Sequence, residues 1–140
     1  MIDRVQFITH QGKQILLIDL SNCSPDNVDK IVRTVPDLVA THPLGSVLIL
    51  SDFTGASFGE EAIRVLQETA VFDKPFVKKS AFVGTGSLPQ EFSENLSSFS
   101  RREFPDFKTR DEALAWLANP ESDIARSHEW HRKSPLTTPP

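Results

Sequence analysis

The sequence is poor in cysteine and in positive charge, and it has no long apolar run. A single cysteine, Cys23, excludes an intrachain disulfide and fits a reducing compartment. The net charge of -4 offers no excess of cations for a phosphate backbone, so we expect no nucleic-acid partner. No apolar stretch reaches membrane-spanning length, and the start "MIDRVQFITH" does not resemble a signal peptide. We therefore predict a cytoplasmic protein without a membrane span.

The composition is otherwise that of an ordinary water-soluble domain. Hydrophobic residues make up 39% and charged residues 24%, with a mean hydropathy of -0.26. A length of 140 residues suits one hydrophobic core and is short for two. We predict one α/β domain over residues 1–118 and a C-terminal tail over residues 119–140.

The N-terminal third predicts two strands and a helix. Two β-type runs, "VQFIT" and "QILLID", flank a turn that contains Gly12, which indicates an antiparallel hairpin. Ser24 is a suitable cap for a helix that starts at Pro25. Pro36 should kink that helix or split it in two.

The middle of the chain predicts a buried strand followed by an amphipathic helix. The continuous apolar run "SVLIL" is typical of a central parallel strand covered on both faces. Ser57 and Glu60 have the spacing of a capping box at the start of the next helix. The run "SAFVG" predicts another strand, and a third helix is expected to begin at Ser87 or Leu88, before Pro89.

The last predicted elements are an edge strand and a helix. The segment "RREFPDF" suits an edge, because Pro105 cannot donate to a neighbouring strand. Thr109 is expected to cap the helix "RDEALAWLA". The complete order predicts a single mixed sheet of about five strands, an N-terminal antiparallel hairpin followed by parallel crossovers, with about four helices.

Three stretches, "LILSDFTGASFGEEAIRVL", "KKSAFVGTG" and "FPDFKTRDEALAWL", resemble the SpoIIAA-like family, a STAS/CRAL-TRIO-type α/β domain. The resemblance implies a small regulatory or ligand-binding domain without catalytic machinery. Related STAS domains carry Asp-Ser-Ser-Gly at the turn that here reads Asp52-Phe53-Thr54-Gly55. Phe53 replaces the first hydroxyl, and Thr54 stands at the second. In those related domains a partner kinase phosphorylates a hydroxyl at this turn, and the resemblance implies Thr54 as the matching hydroxyl here.

Three loops should share the carboxyl edge of the parallel strands, where ligands collect in open α/β sheets. They are "NCS" at 22–24, "DFTGAS" at 52–57 and "GTGS" at 84–87. The candidate regulatory or ligand-binding residues are Asp52, Thr54, Gly55, Ser57, Gly84, Thr85, Gly86 and Ser87. The alternative is purely structural, with serines that only cap helices and glycines that only permit turns.

No recognisable motif predicts catalysis, a metal or a cofactor. The sequence has no phosphate-binding G-x-x-x-x-G-K-[ST] motif and no G-x-S-x-G nucleophile turn. Asp52 has no identified catalytic partner, and His128 and His131 lack the further ligands that zinc requires. We therefore predict no catalytic residue, no metal ligand and no cofactor.

Three hypotheses of function remain. The first is a non-enzymatic regulatory or protein-interaction domain that uses the loops at the carboxyl edge, and the second is a carrier of a small apolar or acidic ligand. An uncharacterised enzyme is the third and would need a carboxylate or histidine near Asp52. A cavity beneath the second helix would favour the carrier, and a solid core would favour the interaction domain. The phenylalanines expected to line such a cavity are Phe58, Phe72, Phe76 and Phe82.

The tail contains two apolar residues that suit an interface, Ile124 and Trp130. A helix as short as "SDIARSHEWHRK" is marginal in water, so its order would have to come from packing against another surface. A large aromatic side chain buries the most area in such a contact. We expect the tail to dock through Trp130 and to help form a homodimer.

Overall fold

A five-stranded mixed sheet organises the chain in the computed structural model, which describes residues 4–88 and 92–120. The strands lie in the order in which they occur along the chain. β1 pairs with β2 antiparallel, and every later pairing is parallel, as the sequence predicts. The strands are β1 (Val5–His10), β2 (Lys13–Asp19), β3 (Val47–Asp52), β4 (Val77–Val83) and β5 (Asp106–Phe107).

Helices cover both faces of this sheet. The helices are α1 (Pro25–Val32), α2 (Val35–Val39), α3 (Glu60–Asp73), α4 (Phe92–Ser100) and α5 (Arg110–Ala118). Residues of α1 to α4 share one apolar cluster with Val47 and Ile49, and residues of α5 share a second cluster with Leu48 and Leu50. All six residues of β3 are buried, which confirms it as the central strand covered on both sides.

The predicted turn and cap residues act where the sequence places them, with one exception. Gln11 and Gly12 both have positive φ in the β1–β2 hairpin turn. The hydroxyl of Ser24 accepts a hydrogen bond from Asn27 at the start of α1. The hydroxyl of Thr109 accepts one from the Glu112 N–H at the start of α5.

The predicted capping box at Ser57 is wrong. α3 begins at Glu60 with Gly59 as its cap, and that cap makes no side-chain hydrogen bond. A capping box requires the glutamate at the third helical position, whereas Glu60 occupies the first. Ser57 lies in the preceding loop, where its N–H donates to the Cys23 carbonyl.

β4 begins at Val77, three residues earlier than the predicted strand "SAFVG", and it ends before Gly84. It therefore includes Lys79, which is buried. The Lys79 ammonium donates to the carbonyls of Trp116 and Asn119 at 3.0 and 3.2 Å. These bonds at the end of α5 satisfy two of the three ammonium donors, and the ammonium also lies 4.9 Å from the centroid of the Trp116 ring.

Some sequence predictions fall on residues outside the described parts of the chain. A 3-10 turn spans Thr85–Ser87, but the predicted helix start before Pro89 involves residues 89–91, which are not described. The candidate interface residues Ile124 and Trp130 also lie outside the described residues. Within the described ranges, no helix is both long and apolar enough to cross a membrane.

Candidate functional site

The three loops at the carboxyl edge of the sheet contact one another through backbone hydrogen bonds. The Asn22 N–H donates to the Thr54 carbonyl at 2.7 Å, and the Ser57 N–H donates to the Cys23 carbonyl at 2.9 Å. The Phe53 N–H donates to the Val83 carbonyl at 2.8 Å, just before the third loop. The loop at 52–57 is therefore held between its two neighbours.

Two of the candidate glycines are required by this arrangement. Gly55 and Gly84 have φ of +70° and +75°, a region that residues with a Cβ rarely adopt. A Cβ on Gly84 would lie 2.7 Å from the Thr54 backbone nitrogen, and one on Gly55 would collide with the Asn22 side chain. Gly86 differs, because a Cβ there would meet nothing within 4 Å. Close approach of the loops thus depends on Gly55 and Gly84 only.

Phe53 anchors the same loop in the core. It is 1% exposed, and its ring makes edge contacts with Phe82, Phe92 and Phe58 at centroid distances of 4.8, 5.4 and 5.6 Å. A serine could not make these aromatic contacts. The departure from Asp-Ser-Ser-Gly therefore has a structural reason, since the side chain at this position faces inward.

Thr54, by contrast, is exposed and is held by the buried Asp52. One carboxylate oxygen of Asp52 accepts from the Thr54 N–H at 2.9 Å and from the Thr54 hydroxyl at 2.6 Å. The hydroxyl proton is thereby directed to Asp52, and the threonine oxygen lies against Gly84. The turn thus holds an exposed threonine whose hydroxyl is oriented by its neighbours.

A bridging arginine joins α5 to this edge and was missed by the sequence analysis. Arg110, the first residue of α5, donates from Nε to Asp52 Oδ2 at 2.7 Å. Its NH2 group lies 3.2 Å from Asp19 Oδ1. Asp19 and Asp52 are register partners at the ends of β2 and β3. The sequence did show an aspartate at the end of each of two strands predicted to lie side by side. Nothing in the sequence indicated that Arg110 lies between them.

Asp19 is surrounded by donors on its other side as well. It accepts from the Ser21 N–H at 3.0 Å and from the Ser21 hydroxyl at 2.5 Å, and Arg4 lies 3.7 Å away. Burial by itself would raise the pKa of Asp19, but these hydrogen bonds and the charges of Arg110 and Arg4 lower the pKa below its ordinary value. Burial lowers the pKa of Arg110, but its bonds and attraction to Asp52 and Asp19 raise it overall. Both partners therefore stay charged near neutral pH.

The remaining candidates of the third loop lie farther from this bridge. The Thr85 hydroxyl donates to Asp106 Oδ2 at 2.7 Å, which connects the loop to β5. Gly86 is exposed, and the side chain of Ser87 is outside what the structure describes. Ser57 is exposed on the far side of the second loop.

The chemistry of this edge suits presentation of a group better than capture of an anion. Its carboxylates, Asp19, Asp52 and Asp106, would repel a free phosphate. Among the described residues, no group of three or more histidine, cysteine or acidic side chains could hold a metal ion. The edge thus carries an exposed Thr54 whose hydroxyl is oriented by Asp52, on loops positioned by Gly84 and Arg110.

Comparison with known proteins bears on the fold. No family model and no curated protein matches the chain. Among solved structures, a match covers 81% of this chain and 92% of the other with a TM-score of 0.61 and 17% identity. That structure is an uncharacterized protein of the DUF3478 family with a SpoIIAA-like fold, from Shewanella loihica. This chain has the SpoIIAA-like fold. At this identity the SpoIIAA-like neighbour supports the architecture and says nothing about which residues act.

Proposed function

We propose that the protein is a non-enzymatic regulatory or protein-interaction domain that presents the Thr54 loop to a protein partner. The observation that carries the proposal is the exposed residue Thr54, whose hydroxyl donates to the buried carboxylate of Asp52. Phosphorylation there would add about two negative charges to a surface whose position is fixed by its neighbours. Because the modified oxygen lies beside the Asp52 carboxylate, the added charge would also push the loop away from Asp52, and both effects change the surface that a partner meets.

A charge substitution tests this role. The tagged protein is used to capture partners from an extract of its native cells. Thr54→Glu should abolish capture of a partner that the wild type retains. Thr54→Val should still capture it, since valine adds no charge to the loop. The matched control is Thr9→Glu, which adds the same charge to an exposed threonine of β1, near the opposite edge. Quantitative mass spectrometry of the retained proteins and the melting temperatures of all variants are the measurements.

Both Thr54 variants lose the hydroxyl bond to the buried Asp52, and Thr54→Glu also places a carboxylate beside it, so we expect the melting temperature to fall by a few degrees in Thr54→Val and by more in Thr54→Glu. Retention is therefore compared below the melting temperature of every variant. Equal retention of the same proteins by wild type and Thr54→Glu would refute the switch. Loss of retention in Thr9→Glu as well would show that added charge alone, rather than the loop, decides binding.

A carrier of a small apolar or acidic ligand is the second candidate, and a cavity beneath α3 favours it. Phe82 lines this cavity as the sequence analysis expected, together with Phe53 and Phe104. The other phenylalanines of that prediction, Phe58, Phe72 and Phe76, are not among its lining residues, and Phe72 is 50% exposed. The cavity measures about 50 Å³, far below the roughly 300 to 1,000 Å³ of sites for larger ligands. It supports a ligand of only a few atoms.

We propose that the protein acts in the cytoplasm. Cys23 is buried and without a disulfide partner, which suits a reducing compartment.

We also propose that the protein forms a homodimer. The support is the composition of residues 119–140, with Ile124 and Trp130 as apolar anchors. Truncation after Asn119 should shift the solution mass to that of a monomer, and Trp130→Ala should reproduce most of that shift. An unchanged mass by light scattering would contradict the dimer.

A further inference from the structure

The cavity beneath α3 has walls of two kinds. It lies between the helices and one face of the sheet, and Leu20, Ile49, Phe53 and Phe82 form much of its apolar wall. At its other end lie polar residues from α3, from β4 and from the segment between α4 and β5. An empty void would be expected to be apolar, so the polar lining requires water or a ligand with hydrogen-bonding groups.

The polar end is built around a buried carboxylate that lacks a partner. Asp73, the last residue of α3, is 3% exposed, and its Oδ1 atom has no hydrogen-bond partner among the described residues. Burial raises the pKa of Asp73 to about 7, against the opposing effect of the Arg102 charge. An unsatisfied buried acceptor costs free energy comparable to a lost hydrogen bond, so a group that donates to it would be stabilised there.

Arg102 supplies the complementary donors at the same end. Its NH1 group donates to the Ala70 carbonyl at 3.0 Å, and its NH2 group donates to the Ser80 hydroxyl. A guanidinium carries five N–H donors, so these two bonds leave capacity for an acceptor. Arg102 also lies over the Phe104 ring, 4.8 Å from its centroid, and both are half-buried where the cavity approaches the surface.

We propose that the cavity binds a small neutral molecule with a carboxamide head and a short apolar group, its N–H donating to Asp73 Oδ1 and its carbonyl accepting from Arg102. A carboxamide offers a donor and an acceptor on one planar group, which matches the two protein groups at the polar end. Above pH 7, where Asp73 is mostly ionised, a carboxamide adds no net charge to this buried pair of opposite charges, whereas an anion would face the Asp73 carboxylate. This inference rests on the ligand-carrier alternative and is independent of the role proposed for Thr54.

The volume restricts what fits. A single buried water requires about 10 to 15 Å³ by the same measure, so about 50 Å³ holds roughly three or four waters or one molecule of a few heavy atoms. An engineered cavity that takes benzene is about three times larger. Acetamide is therefore a suitable probe, with an expected Kd on the order of millimolar for so few atoms.

The test is a titration of the full chain with acetamide at pH 8, where Asp73 is mostly ionised. Binding is followed by the amide resonances of Ala70, Asp73 and Ser80 and by the side-chain N–H of Arg102. We expect saturable shifts confined to residues that line the cavity. Asp73→Asn should weaken binding about three- to tenfold, because a charge-assisted hydrogen bond becomes a neutral one. Asp73→Leu, which removes the acceptor and fills the space, should abolish it. Asp111→Asn, at an exposed position of α5, is the matched control and should bind like wild type.

Acetate and xenon are the comparison probes, and each can overturn the proposal. Tighter binding of acetate than of acetamide would show that the site takes anions. Binding of xenon without acetamide would show a dry apolar void. Acetamide shifts that do not saturate would show that the cavity holds only water. Saturable shifts that persist in Asp73→Leu would show that acetamide binds without Asp73, and either result overturns the proposal.

Native mass spectrometry of freshly purified protein separates this inference from the carrier function on which it rests. A retained small molecule that survives in Asp73→Leu would overturn the cavity site and leave the carrier function standing. A retained carboxamide that is lost in Asp73→Leu would support both. The absence of any retained or titrated ligand would overturn both.

Discussion

Gly84→Ala probes the contact between the loops at the carboxyl edge most directly. Gly84 combines a φ of +75° with close approach to Thr54, whose backbone nitrogen and Cα would lie 2.7 and 2.8 Å from an added Cβ. The unfavourable φ should cost about 1 to 2 kcal/mol. Displacing a packed backbone should cost about 1 to 3 kcal/mol more. We therefore expect a total loss of about 2 to 5 kcal/mol in the free energy of unfolding.

Two other glycines separate these contributions. Gly12 has a φ of +78° but nothing within 4 Å of an added Cβ, so Gly12→Ala should lose only the conformational part, about 1 to 2 kcal/mol. Gly86 has neither a positive φ nor a close neighbour, and Gly86→Ala should stay within about 0.5 kcal/mol of wild type. Urea unfolding followed by circular dichroism measures all three variants.

The ranking of the variants decides the outcome. If Gly84→Ala destabilises the protein no more than Gly12→Ala, then the loop at 84–87 does not press against Thr54 and the described site is wrong. A second readout is hydrogen exchange of the Asn22 N–H, which donates to the Thr54 carbonyl. This amide should exchange faster in Gly84→Ala and at the wild-type rate in Gly86→Ala, because only the former displaces the Thr54 loop.

Three further substitutions test the core, the bridge at the sheet edge and the buried carboxylate. Leu50→Ala should cost about 2 to 5 kcal/mol in denaturant unfolding by leaving a cavity in the fully buried centre of β3, and a loss under about 1 kcal/mol would contradict that burial. Arg110→Gln should lower the free energy of unfolding by about 1 to 2 kcal/mol in the same assay, because Asp52 loses a charged partner. Arg64→Gln, on the exposed face of α3, should lower it by under about 0.5 kcal/mol. Equal losses in the two variants would argue against the bridge. Asp73 has a folded-state pKa of about 7, above its ordinary 3.8. Between these two pH values the folded chain keeps a proton that the unfolded chain has lost. The free energy of unfolding therefore falls as the pH rises through this range up to about 7. From pH 5 to pH 8 the wild type should lose about 2 to 3 kcal/mol more than Asp73→Asn in unfolding titrations, and parallel pH profiles would refute the raised pKa.

Much of the fold could be predicted from local sequence. The continuous apolar run at β3 identified the central strand because only a strand covered on both faces lacks polar residues at every second position. Ser24 and Thr109 identified helix starts because a hydroxyl there binds free backbone N–H groups within the next turn. Each of these signals involves residues only a few positions apart. The same kind of argument gave a wrong prediction at Ser57. A serine three residues before a glutamate is common by chance, and the loop geometry placed the helix cap at Gly59.

The candidate site depended in larger part on tertiary structure. The sequence by itself determined that Asp52, Thr54 and the two glycines follow parallel strands, because strand ends and turn residues are adjacent in the chain. Only the folded chain decided that Arg110 lies between Asp19 and Asp52, with 58 positions separating it from Asp52. Likewise, Asp73 and Arg102 line the same cavity only because α3, β4 and the segment after α4 pack together. Hydrogen bonds and charges act over a few ångströms, so partners distant in sequence become visible only when packing fixes which surfaces meet.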